Sequence, residues 1–134
     1  METEVTYRTN EVLSVEQIIE VFQSSGIRRP TSEPQRIARM FENANLVVSA
    51  FSGPRLVGVG RALTDFSYCC YVSDLAVRRD FQHQGIGKAI LERLRGAAGP
   101  ECVFFLHAAP LAKAYYPKIG MLPWEDCFHI PRQH

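Results

Sequence analysis

Between Cys69 and Ala98 the chain runs as an apolar stretch, CCYVSDLAV, then a polar turn, then the amphipathic run IGKAILERL, with Gly85 and Gly87 where the second element must begin. A strand that is apolar on both faces must be covered on both sides, which places it inside a sheet. The helix after the turn, expected from about Gly85 to Ala98, must fold back onto that sheet. Glycine weakens a helix by about 1 kcal/mol per residue, so two glycines at a helix start need a separate reason. A helix N-terminus offers unpaired N–H groups and a partial positive charge, and it attracts anions. Glycines there remove the side chains that would keep a phosphate at a distance. Close helix–strand packing without a ligand is the competing reason.

The rest of the chain surrounds this unit with recognisable elements. EVTYRTN reads as an opening strand and SVEQIIEVFQSSG as a helix with Val15, Ile18, Ile19 and Phe22 on one face. Ser14 and Gln17 have the spacing of a capping box, and Gly26 supplies the stop. A second helix is expected from SEPQ, where Ser32 and Gln35 repeat the box and Ile37, Met40, Phe41 and Ala44 form the apolar stripe. NLVVSAF and RLVGVGRAL, joined by SGP, form a hairpin signal. CVFFLHA reads as a buried strand, PLAKAYYPKIG as a short helix opened by Pro110, and MLPWEDCFHI as a closing strand. The predicted order is β-α-α-β-β-β-α-β-α-β. It describes an α/β mixed sheet with helices on both faces, in one domain over residues 1–134.

Composition narrows the function. A net charge of +1 argues against a nucleic-acid surface, and no apolar run approaches the ~20 residues of a membrane span. METEVTYRTNEV lacks the basic-then-apolar order of a secretory signal. Cys69, Cys70, Cys102 and Cys127 include no C-x-x-C pair and read as small hydrophobes in a reducing, cytoplasmic setting. No metal is expected.

Three phosphate-binding patterns share the physics of the glycine turn. A P-loop requires G-x-x-x-x-G-K-[ST], but Ala89 follows Gly87-Lys88 and Gln82 occupies the first glycine position. A dinucleotide fingerprint requires G-x-G-x-x-G in the first βα unit, but Ile90 stands at the third glycine and the turn follows four strands. The third pattern, Q/R-x-x-G-x-G/A after a buried strand, is matched by Gln82, Gly85 and Gly87. The segment from Tyr71 to Leu94, with the element order around it, resembles the GCN5-related N-acetyltransferase (GNAT) superfamily. AKAYYPKIGM is similar to that family's A-x-x-x-Y-x-x-x-G-F segment, with Ala112, Tyr116 and Gly120 matching and Met121 in place of phenylalanine.

The resemblance implies transfer of an acetyl group from acetyl-CoA to an amine. The turn Gln82, His83, Gln84, Gly85, Ile86, Gly87 and Lys88 would hold the cofactor's pyrophosphate, chiefly through backbone N–H groups. The backbone of Leu75, Ala76 and Val77 would pair with the pantetheine arm as an added strand does. Tyr116 would be the general acid, since a phenol of reference pKa ~10 stays protonated at neutral pH. Pro117 biases Tyr116 away from helical dihedrals. Asp74 is a candidate base and His107 a weaker one. Ala109 replaces an asparagine common in the family. Arg28 and Arg29 are candidates for holding an anionic acceptor, with Arg36 and Arg39 nearby on a solvated face, and Trp124 is expected to close the core. A CoA-binding regulatory module without catalysis is the alternative, a nucleotide-phosphate binder a weaker one, and pairing of two copies through the closing strands is anticipated.

Overall fold

The computed structural model describes residues 4–134. Its sheet has the spatial order β1 (Val5–Thr9), β2 (Leu46–Ser52), β3 (Arg55–Thr64), β4 (Cys69–Val77) and β5 (Val103–Leu106). The first four strands pair antiparallel, and β4 pairs β5 in parallel. Helices α1 (Val15–Ser25) and α2 (Pro34–Glu42) connect β1 to β2, and α3 (Ile86–Ala98) crosses from β4 to β5. A single turn, α4 (Tyr115–Lys118), follows β5. The mixed α/β class is the one the sequence predicts.

Two apolar layers cover the sheet. On one face Ile86, Ile90, Leu91 and Leu94 of α3 pack on Val48, Ala50, Val57, Ala62, Cys70 and Val72. On the other, Ile18, Val21 and Phe22 of α1 and Ile37 of α2 pack on Val47, Phe51, Leu56, Val59 and Ala76. Close approach of α3 depends on glycines in β3, not in the turn. A Cβ on Gly60 would lie 2.5 Å from Ile90 Cγ2 and 2.8 Å from Leu94 Cδ1. The competing packing role therefore belongs largely to Gly58 and Gly60.

Local signals act as read in most places. Ser14 Oγ accepts the Gln17 N–H at 3.3 Å, and Gly26 ends α1 at φ 81°. The Gln17 side chain, however, does not close the box: its Oε1 accepts the Leu56 N–H at 2.6 Å and ties α1 to β3. The second box does not form either. Glu33 is the N-cap of α2 and makes no side-chain cap bond, with Pro34 first in the helix. A proline's fixed φ suits that first position, so the start falls after Ser32.

The predicted closing strand is a correction. Among the described residues no strand follows β5, and Leu122, Phe128 and Ile130 are 90%, 89% and 95% exposed. Pro123 offers no ladder N–H, and Glu125 and Asp126 interrupt the apolar run. Trp124 does not close the core: it is half exposed and meets Phe105 edge-on at 5.3 Å.

Candidate active site

The site begins where β4 outlasts β5. The β4–β5 ladder ends at Val72↔Leu106, while β3 continues to pair β4 as far as Gly58↔Val77. The register on the β3 side steps from Arg61↔Asp74 to Ala62↔Val72, so Ser73 is an inserted residue on β4. Such a bulge bends and twists its strand, and here it coincides with the end of β5. Beyond it, the Arg78 N–H donates to Val57 O at 2.8 Å, which turns the backbone of Arg78, Ala76 and Asp74 toward β3. Leu75 and Val77 therefore present their N–H groups to the open edge. Two side chains bracket this gap: Arg29 Nη2 donates to Ser73 O at 2.7 Å, and Gln82 Nε2 donates to Val77 O at 2.9 Å. The Gln82 side chain thus caps the strand instead of standing free for a phosphate.

The turn that follows is held from α1. Arg78 is buried, with Nε on Leu56 O at 2.6 Å and Nη2 on Glu20 Oε2 at 2.8 Å. The Arg79 N–H donates to Ser24 Oγ at 2.9 Å. A 3₁₀ turn over 79–81 leads to His83 at φ 64° and Gly85 at φ 83°. Both lie in the left-handed region, which glycine enters freely and histidine tolerates better than most residues. Among the described residues, no backbone N–H from His83 through Lys88 donates a hydrogen bond within the chain; the first recorded is Ala89 N–H to Gly85 O at 3.0 Å. Gly87 has an ordinary helical φ, and a Cβ there would meet only Val77 Cγ2 at 3.9 Å and Leu75 Cδ2 at 4.0 Å. Neither conformation nor packing requires glycine at this position. Its missing side chain leaves space between the helix start and the open edge of β4.

Asp74 is fully buried, and both carboxylate oxygens are taken: Oδ1 accepts from Arg29 Nε and Oδ2 from Arg61 Nε. Arg61 also donates to Ser73 Oγ at 2.9 Å and to Met40 O at 3.3 Å. This cluster pins the bulge to β3, to the end of α2 and to the loop between α1 and α2. Its geometry is that of a structural hub, so the candidate base is corrected: a carboxylate with no exposed surface, held between two guanidiniums, is closed off from an incoming amine. Arg29 is corrected with it, since its guanidinium is engaged by Asp74, Ser73 O and Arg28 O. Arg28 is exposed. Sequence reading missed Arg61, although a charge inside RLVGVGRAL is a signal that a buried partner is needed.

Tyr116 lies in α4 and packs against the α3-side core. Burial pushes its phenol above the usual value, and the neighbouring Tyr115 phenol adds to the rise. The two rings meet edge-on at 5.4 Å. Pro117 does not keep Tyr116 out of a helix: it is the third residue of a single turn, where its missing N–H would have no intrahelical partner. Tyr116 O then accepts from Ile119 N–H at 3.2 Å and from Met121 N–H at 3.1 Å. His107 is exposed, directly after the last residue of β5, with its ring 6.2 Å from that of His129. Ala109 caps a short 3₁₀ turn through its carbonyl. Among the described residues, no group of three or more His, Cys, Asp or Glu could hold a metal ion.

Residues 9–126 match the family described as the acetyltransferase (GNAT) domain. The chain therefore belongs to the GNAT acetyltransferase family. It is 29% identical over 121 residues to GCN5-related N-acetyltransferase 1, chloroplastic, from Arabidopsis thaliana, and the match covers 89% of this chain but 61% of that protein. Its fold is similar to a Staphylococcus aureus protein described as a probable acetyltransferase, with a TM-score of 0.84, 23% identity, and 98% and 100% of the two chains covered. It is also similar to the aminoglycoside N-acetyltransferase AAC(6')-Iy, solved in complex with CoA, at a TM-score of 0.73, 10% identity, and 100% and 98% coverage.

Proposed function

We propose that this chain transfers the acetyl group of acetyl-CoA directly to a primary amine of a small molecule or protein. One observation carries the reading: the unbonded N–H groups from His83 to Lys88 stand beside a β4 edge that β5 leaves open. Free N–H groups at a helix start suit a diphosphate, and an open strand edge suits the amides of an extended arm. Lys88, exposed and 4.0 Å from Glu92, adds a weakly engaged positive charge near the turn. Acetyl-CoA supplies the activated thioester. The Leu75 N–H, turned to the open edge, is placed to stabilise negative charge developing on the carbonyl oxygen. Tyr116, a phenol whose reference pKa of ~10 keeps it protonated at neutral pH, donates a proton to the departing thiolate. With Asp74 engaged in ion pairs, His107 and bulk solvent remain to take the amine's proton. A reducing compartment such as the cytoplasm is part of the proposal, in keeping with four free cysteines.

Turnover of acetyl-CoA against a panel of amines tests the reading, with Tyr116→Phe in parallel. Loss of the phenol is expected to lower kcat by about 10²–10⁴-fold where chemistry limits turnover, with little change in KM for acetyl-CoA. A variant reacting at the parent's rate removes Tyr116 from the mechanism. Tight CoA binding with no acetyl transfer to any amine favours the regulatory module, a reading that the closed Asp74 hub supports.

A further inference from the structure

Asp74 needs one cation, and the hub supplies two. Buried Arg61 reaches it from the neighbouring strand, meeting Oδ2 while also holding Ser73 Oγ and Met40 O. Arg29 reaches in from the loop between α1 and α2, with its side chain 25% exposed. A second guanidinium leaves the cluster one positive charge over balance, and desolvating that charge is a cost a single pair avoids. Its other contact supplies a reason for it. The planar fork places Nε on Asp74 Oδ1 and Nη2 on Ser73 O at 2.7 Å, so one group grips a side chain and the main chain just before it. A lysine carries a point charge and lacks this fork.

The Ser73 carbonyl stands just beyond the last β4–β5 rung, Val72↔Leu106. At the far end of the same edge, Gln82 Nε2 holds Val77 O at 2.9 Å. Alternate residues of a strand turn their N–H and C=O to one edge. Between the two caps the open edge therefore keeps the Leu75 N–H, the Leu75 carbonyl and the Val77 N–H. A strand pattern repeats every second residue, so an extended ligand can slip along it in steps of about 7 Å. A free carbonyl at Ser73 or Val77 would offer such a second register, and a capped one does not. Resting on the acetyl-CoA reading above, we infer that Arg29 is a positioning residue that works with Gln82. The two side chains are end stops, and they keep the donor's arm in the one register where its thioester carbonyl meets the Leu75 N–H. In this role Arg29 touches neither donor nor acceptor; it acts through the Ser73 carbonyl.

Arg29→Lys and Gln82→Ala test this, with acetyl-CoA isotope-labelled at its thioester carbonyl as the probe. Arg29→Lys keeps a cation beside Asp74, and Gln82 lies outside both apolar layers, so both variants are expected to fold. Circular dichroism checks that. In the parent the bound carbonyl should give one carbon resonance, moved downfield by its hydrogen bond. Each variant should add a second, unmoved resonance from the slipped register. In each, kcat should fall about tenfold or more while KM for acetyl-CoA stays within about threefold. A merely structural role would weaken acetyl-CoA binding and raise KM without splitting the signal, and that result overturns the inference. So does a variant with the parent's single resonance and the parent's kcat. A parent that acetylates an amine while its bound carbonyl is unmoved overturns this inference alone. A parent that binds no acetyl-CoA removes it together with the proposed function.

Discussion

Gly87→Ala separates a glycine kept for a ligand from one kept for packing. The added Cβ would find only Val77 Cγ2 at 3.9 Å and Leu75 Cδ2 at 4.0 Å, both ordinary contacts, and the helical φ accepts alanine. No steric cost opposes the substitution, and alanine restores part of the ~1 kcal/mol by which glycine weakens a helix. Position 87 is in the first turn, so a gain of about 0.5 kcal/mol is expected, or roughly 2 °C in Tm for a chain of this size. The same methyl enters the space between the helix start and the β4 edge, so CoA affinity should fall by about tenfold or more, equivalent to ~1.4 kcal/mol. Thermal unfolding and isothermal titration with CoA read the two effects on one sample. Gly60→Ala is the internal contrast. Its Cβ would lie 2.5 Å from Ile90 Cγ2, an overpacking that costs about 1–3 kcal/mol, with no direct effect on CoA. A Gly87→Ala variant that melts lower while binding CoA as the parent does would refute the reasoning.

Asp74→Asn leaves the guanidiniums of Arg29 and Arg61 without their shared anion, and a stability loss of about 3–5 kcal/mol is expected in denaturant unfolding. A loss below ~1 kcal/mol, together with a collapse of kcat, would return Asp74 to the role of base. Asp65 gives a pH test. Its carboxylate accepts the N–H groups of Cys69, Ser67 and Tyr68, which hold its pKa down at about 2. The folded value lies below the unfolded one near ~3.9, so its contribution is complete above that value and is lost as pH falls toward 2. An NMR titration of the Asp65 carboxyl should show the low midpoint, and a midpoint near the unfolded value would contradict the turn geometry.

The strand, turn and third helix were legible because their signals are local: an apolar run, a glycine joint and a 3.6-residue stripe. So were the hairpin and the caps at Ser14 and Gly26, each set by a few neighbouring residues. The hub was not. Asp74 meets Arg61 across 13 residues of sequence and Arg29 across 45, and nothing in either neighbourhood announces the other. Read alone, Asp74 looks like a base and Arg29 like a substrate contact; together they neutralise one another. The closing strand failed for a local reason instead: Pro123 and the Glu125–Asp126 pair interrupt a run whose apolar residues alone read as a strand. The glycines in RLVGVGRAL were passed over since their need arises only once Ile90 and Leu94 lie across them.

Amide hydrogen exchange with and without CoA, read residue by residue by NMR, tests the central claim most directly. The N–H groups from His83 to Lys88 and those of Leu75 and Val77 should slow by about tenfold or more when CoA is added. Protection confined to other parts of the chain, with these groups exchanging as freely as before, would contradict the account.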